Sequence, residues 1–175
     1  HNLVSNVGLE YTTDGGANWN VINNSISAGN LQYIWSVPDL SSSSVQLRLY
    51  DSTTPDVADT SKSFTVGKID ITNPTGTSNW NSGSTREITW DASANLGSVN
   101  LYYSVDDGNT WQQIDNNIGV SQGSYFWTIP GNISTTQARI EIEHNSTSSE
   151  IDDVSGQFVI NSILVTSPNG NEKWQ

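Results

Sequence analysis

The residues best equipped for chemistry are acidic. Glu141 and Glu143 stand two apart in an alternating stretch and so share one face of a strand; Glu150, Asp152 and Asp153 follow across a loop. Oxygens gathered in this way suit a hard cation such as Ca2+, and a pair of carboxyls is the equipment of glycoside hydrolysis. A related stretch earlier in the chain weakens both readings. It carries Arg48 and Tyr50 where this one has Glu141 and Glu143, and Asp59/Asp152 is the one position acidic in both. No D-x-D-x-D-G loop occurs. The expectation is a solvated acidic edge, with no catalytic, cofactor-binding or metal-ligating residue assigned and Ca2+ the one ion such a cluster would take. The two histidines, His1 and His144, complete no Ser-His-Asp set, and no G-x-S-x-G elbow is present.

A second constellation occurs twice. TTDGGANW (12–19) returns as SVDDGNTW (104–111). Asp14 and Asp106 are placed to accept hydrogen bonds from turn amides, and Gly16 and Gly108 to take a positive φ. Trp19 and Trp111 then open the next strand and pack on the turn. The motif resembles the Asp box of sialidases and of several unrelated β proteins. In sialidases it lies away from the catalytic centre. The arginine cluster those enzymes use for the substrate carboxylate cannot be built from Arg48, Arg86 and Arg139. Both boxes are read as structural hairpins.

Aromatics offer a third chemistry, stacking on sugar rings. Tyr102 and Phe126 fall on the polar faces of their strands, but their counterparts are Glu10 and Ile34, so no platform repeats. Asn23, Asn132 and Asn145 head N-x-S/T sequons, which matter in a glycosylating host.

Composition removes whole classes. Six Lys+Arg face 18 Asp+Glu, for a net charge of −12, so no basic stripe for a phosphate backbone can be assembled and no nucleic acid is expected. No run of 18 apolar residues exists to span a membrane as a helix. Cys is absent, which excludes disulfides, Cys-ligated zinc and thiol catalysis. Met is absent and the chain opens on His1, the mark of a processed or truncated piece. Ser (26), Thr (17) and Asn (20) compete with helix through their own backbone bonds, and no stretch keeps an i, i+3, i+4, i+7 apolar pattern, so helix is expected to be nearly absent.

The elements that must position these groups are fixed by an internal repeat. Trp19 and Trp111 are 92 apart, Trp35 and Trp127 are 92 apart, and Trp80 and Trp174 are 94 apart; Pro38/Pro130 and Pro74/Pro168 keep the same offsets. VGLEYTTDGGANW (7–19) matches VNLYYSVDDGNTW (99–111), LQYIWSVPDL (31–40) matches GSYFWTIPGN (123–132), VQLRLYD (45–51) matches ARIEIEH (138–144), and IDITNPTGTSNW (69–80) matches ILVTSPNGNEKW (163–174). A half period of 46 fails to superpose the tryptophans, which excludes a propeller. Alternation predicts strands over 68–73, 84–91, 98–105, 110–115, 123–129, 136–143 and 156–160. Seven short strands in about 93 residues predict an all-β fold of tandem Ig or fibronectin-III-like sandwiches. The expected organisation is an incomplete sandwich over 1–66 lacking its first two strands, a complete one over 67–160, and the first strand of a third over 161–175, with Gly67 and Asn161–Ser162 as joints.

Written out, the unit resembles the bacterial Kre9/Knh1-like, Ser/Thr-rich extracellular repeat. The quoted segments ILVTSPNGNEKW, TREITW, YYSVDDGNTW, SYFWTIP and FVI carry the likeness, which spans nearly the whole chain. It implies a non-catalytic spacer or adhesion module of a large secreted, surface or filament-forming protein, at the cell surface, with neighbouring repeats or identical subunits as partners. The alternative is a carbohydrate-binding accessory module of a secreted hydrolase, with a cell-surface glycan as partner. The broken phase reads first as a window on a long array and second as strand addition between chains.

Overall fold

A computed structural model describes residues 4–146 and 150–163. It is all-β; the described residues hold no α-helix, only two short 3-10 turns at Ala94–Leu96 and Val120–Gln122. The chain divides into two compact units at Gly67/Lys68.

The first unit holds β1 (Asn6–Thr12), β2 (Asn20–Ser27), β3 (Ser42–Asp51), β4 (Ala58–Thr60) and β5 (Phe64–Val66). They form a single sheet, β2-β1-β3-β4, with β5 also paired to β3. The second unit holds β6 (Ile69–Asn73), β7 (Asn79–Asn81), β8 (Thr85–Ala92), β9 (Ser98–Ser104), β10 (Gln112–Gly119), β11 (Ser124–Thr128), β12 (Thr135–His144), β13 (Asp152–Val154) and β14 (Phe158–Asn161). Here a six-stranded sheet, β10-β9-β12-β14-β7 with β13 on β12, faces a three-stranded sheet, β11-β8-β6. Their inner faces interdigitate in one core. Val99, Leu101, Ile140, Ile142 and Ile88 are 0% exposed, and Trp80, Trp90, Trp127 and Phe158 fill the space between them.

The sheet of the first unit and the larger sheet of the second are paired in the same register. Tyr11 lies opposite Leu47 and Leu9 opposite Leu49, as Tyr103 lies opposite Ile140 and Leu101 opposite Ile142. Val45 meets Phe64 and Ser42 meets Val66, as Ala138 meets Phe158 and Thr135 meets Ile160, with the same bulge between them. The Leu47 amide donates to Ser61 Oγ at 3.0 Å, and the Ile140 amide to Ser155 Oγ at 3.0 Å.

Their burial differs sharply. Among the described residues, the second unit supplies almost all of the buried apolar side chains and the first contributes Ile26 and Val45. Val21, Leu31, Ile34, Val37, Leu49, Val57 and Phe64 are exposed. The cause is that no strand among the first unit's described residues corresponds to β6, β7 or β8.

Several expectations need correction. QYIWSVP (32–38) forms no strand, although SYFWTIP (124–130) contains β11. A strand needs a ladder, and β11 has one from β8. The strand placed at 110–115 runs from Gln112 to Gly119, bent by two bulges against β9. β7 and β13 were not foreseen. Asn161 is no joint: it ends β14 and pairs with Asn81 of β7. The register also corrects an equivalence. Asp59 faces Leu49 as Asp153 faces Ile142, so the counterpart of Asp59 is Asp153 rather than Asp152. The expected third-unit strand at 161–175 lies, beyond Ile163, outside the described residues.

Candidate functional site

The two boxes close the β1–β2 and β9–β10 hairpins bond for bond. Thr12 Oγ1 accepts from the amides of Asp14 (3.2 Å) and Gly16 (3.1 Å) and donates to Asp14 Oδ1 (2.7 Å). Ser104 Oγ does the same with Asp106 and Gly108, at 3.2, 2.8 and 2.7 Å. Each aspartate then accepts the amide four residues on, Asn18 or Thr110, at 2.9 Å. Gly16 (φ 93°) and Gly108 (φ 87°) hold the left-handed position, and an indole lies under each: a Cβ there would stand 3.4 Å from Trp19 and 3.3 Å from Trp111. Hydrogen bonds from Asn18 and Thr12 hold Asp14 down at about 2, and those from Thr110 and Ser104 lower Asp106. Both carboxylate oxygens of Asp14 and of Asp106 are therefore committed to the turn.

Within each unit the arginines are placed separately. Arg48 pairs with Glu10 at 2.6 Å and lies over the Trp19 ring at 4.6 Å. Arg139 pairs with Asp107 from the six-stranded sheet, while Arg86 sits on β8 of the opposite sheet.

The acidic edge divides. Glu141 and Glu143 point outward from β12, with Asp152 paired opposite Glu143. Partial burial raises the pKa of Glu141, helped by the charges of Glu143 and Asp152. Glu143 Oε1 accepts from the Tyr102 hydroxyl at 2.8 Å and from Asn100 at 3.2 Å. Asp153 does something the sequence did not suggest: its carboxylate accepts the backbone amide of Ile71 at 2.7 Å and so pins β6, on the smaller sheet, to β13 on the larger. Glu150 is exposed. Among the described residues no group of three or more His, Asp or Glu is arranged to hold a metal ion.

The aromatic pair proposed for sugar stacking is separated. Phe126 is 67% exposed on β11 of the smaller sheet, whereas Tyr102 is half-buried on β9 of the larger one with its hydroxyl engaged. His144 ends β12, its amide bonded to the Ile151 carbonyl at 2.9 Å. His1 lies outside the described residues. Asn132 and Asn145 are exposed; Asn23 is half-buried.

The first unit carries the least satisfied surface. Tyr11 and Trp35 stand 5.2 Å apart at 34°, close to the 4.9 Å and 38° of Tyr103 and Trp127. In the second unit that pair is capped: Trp80 lies 6.3 Å from Trp127 and 4.8 Å from Phe158. Phe158 is 1% exposed, but its counterpart Phe64 is 37% exposed. On the same unit Val4, Val7, Leu49 and Val57 line an open groove of about 270 Å³ with Asp59 on its wall.

No family model matches the chain. No curated protein matches it either. Among solved structures, the fibronectin(III)-like modules of Clostridium thermocellum CbhA match at a TM-score of 0.38 and 14% identity, over 91% of this chain and 78% of that chain. A likeness that loose carries no inference about function. No helix among the described residues is long and apolar enough to cross a membrane.

Proposed function

We propose that this chain is a stretch of a tandem β-sandwich array, resembling the Kre9/Knh1-like repeats, that serves as a non-catalytic structural or adhesion module of a large extracellular bacterial protein. The observation that carries the reading is the shared strand register of the two units together with the chemistry of their polar groups. The ionisable constellations the sequence singles out do structural work. The aspartates of the boxes hold turns, Asp153 fastens one sheet to the other, and Arg48 and Arg139 sit in ion pairs. A module of this kind transmits position: each unit is stabilised by its own core and by its neighbours, and a surface of net charge −12 resists aggregation.

The decisive experiment is an immunoblot of source cells and culture fluid with antibody raised against the chain, combined with protease shaving of intact cells. A shaving-sensitive polypeptide far heavier than 19.0 kDa is the expected result. An intracellular product would refute the reading. The carbohydrate-binding alternative rests on Phe126 alone, since Tyr102 is held by Glu143, and glycan-array binding abolished by Phe126→Ala is the result it requires.

A further inference from the structure

Tension in an array passes through each unit from the residue where the chain enters to the residue where it leaves. What lies between those points decides how the unit yields. We propose that the second unit is built to carry tension along the chain, and that the parallel β7–β14 ladder, locked by Trp80, must break before the unit extends. The proposal rests on the reading of the chain as a structural array and deepens it by naming the element that holds.

The long strand β12 gives the axis. Asp153 pairs opposite Ile142, toward the end of β12, and accepts the Ile71 amide, so β6 lies at that end. Ile160 pairs opposite Thr135, at the start of β12, and stands beside Trp80, so β7 and the exit of β14 lie at the other end. The chain therefore enters the unit at Lys68 and leaves past Asn161 at opposite ends of the strands. A pull on those two points runs lengthwise.

Two attachments resist it. β6 is paired antiparallel to β8 from Ile69 to Asn73, and Asp153 ties its Ile71 amide to the larger sheet at 2.7 Å. β7 is paired in parallel to β14, Asn79 beside Val159, Trp80 beside Ile160 and Asn81 beside Asn161. At one end of that ladder the Val159 amide donates to the Ser78 carbonyl at 3.2 Å, and at the other the Ser82 amide donates to the Asn161 carbonyl at 2.7 Å. Tension drags β7 by its N-terminal end and β14 by its C-terminal end. Parallel strands pulled in that way slide past one another, so their bonds are loaded together rather than opened in turn. Sliding is also blocked by packing. Trp80 is 6% exposed and meets Phe158 and Trp127 edge-on, and a slip of one residue would swing it to the outer face. Ahead of it the turn at Gly76 lies so close to Gly156 that a Cβ there would stand 2.8 Å from the Gly76 nitrogen. Backbone meets backbone, with no side chain to give way.

Optical-tweezers pulling of the full chain tests this, because a chain without Cys takes handles only where cysteines are introduced. Handles beyond the two ends load the unit lengthwise. Handles at Thr77→Cys and Gln157→Cys, both exposed at the starts of β7 and β14, open the same ladder from one end. With end handles, extension of residues 68–161 lengthens the tether by about 30 nm, which identifies the event. At one force, the lifetime before the unit extends should be at least about twenty-fivefold longer with end handles, from two ladder bonds at about fivefold each that break together rather than in turn. Val159→Pro removes one ladder amide on the side facing β7 and should shorten the end-to-end lifetime by about fivefold. Ile118→Val, in β10 at the far edge of the same sheet, should lower the urea midpoint yet leave that lifetime within about twofold. Equal lifetimes in the two pulling geometries overturn the proposal, and so does a Val159→Pro chain, folded by urea titration, that holds as long as the wild type. If Val159→Pro does not fold, the comparison of geometries decides alone. A failure here leaves the array reading standing, since the immunoblot tests that by size and exposure.

Discussion

Trp127 and Trp35 occupy the same place in two settings, so truncating each in turn measures what the second sheet contributes. Trp127 is 5% exposed, packed on Tyr103 at 4.9 Å and on Trp80 at 6.3 Å. An indole of about 200 Å² buried at about 25 cal/mol per Å² represents about 5 kcal/mol. Measured Trp→Ala losses in cores run about 3–5 kcal/mol, and Trp127→Ala should fall in that range. Trp35 keeps the tyrosine contact at 5.2 Å but is half-buried with no facing sheet. Trp35→Ala should cost about 1–2 kcal/mol, in proportion to the area it hides. Native-state hydrogen exchange read by mass spectrometry is the right assay, because it reports the opening free energy of each unit separately. The expected pattern is a large loss confined to β8, β9, β11 and β12 for Trp127→Ala and a small loss confined to β1–β3 for Trp35→Ala. Equal losses, or a Trp127→Ala loss below about 1 kcal/mol, would refute the account of where the core lies.

Three further outcomes are expected. Asp14 is held near 2, and Asp51 and Asp106 are also lowered from 3.8, each by hydrogen bonds within its turn. Depressed folded values mean stability present above about 3.8 and lost as pH falls toward 2, so Tm should drop across that window, and Asp14→Asn plus Asp106→Asn should flatten the slope; an unchanged slope in the double variant would count against the turn bonds. Glu141 titrates in the opposite sense. Its raised value makes the ionised form a liability in the folded state, so Glu141→Gln should raise Tm at pH 7 and leave it unchanged near pH 3, as differential scanning fluorimetry would show. Gly156→Ala places a Cβ 2.8 Å from the backbone of Gly76 and should destabilise the second unit by about 1–3 kcal/mol through strain; a neutral urea midpoint would show that the loop yields freely.

Alternation of apolar and polar residues made much of the core legible in the sequence. Val99, Leu101, Tyr103, Ile88, Trp90, Ala138, Ile140 and Phe158 alternate with polar neighbours in the predicted strands and are buried, whereas Ile71 and Val105, in the same alternation, are half-buried. The boxes were legible too, since an aspartate, a glycine and a tryptophan at fixed spacing specify one turn. What escaped the sequence was short and polar. β7 is Asn-Trp-Asn and β13 is Asp-Asp-Val, three residues each, with too little alternation to announce a strand. Their existence depends on partners far along the chain. The role of Asp153 escaped for a related reason: a carboxylate capping a backbone amide 82 residues away leaves no local signature.

The contrast between residues 32–38 and 124–130 carries the most physical content. Tyr33, Trp35 and Val37 alternate as Tyr125, Trp127 and Ile129 do, and both segments end on proline. Propensity and pattern are therefore matched, yet only the second contains a strand. The difference is β8, whose backbone pairs with Ser124 through Thr128 and whose Ile88 and Trp90 close the core above them. Strand propensity is a statement about fit to a half-buried pleated surface, and without the neighbour there is no surface to fit. The same logic gives a strong expectation for the converse experiment. A peptide carrying the 68–92 sequence should, on binding the first unit, bring amide protection to residues 32–36 as well as to its own strands. Binding without that protection would mean that the two segments differ in some way their sequences do not reveal.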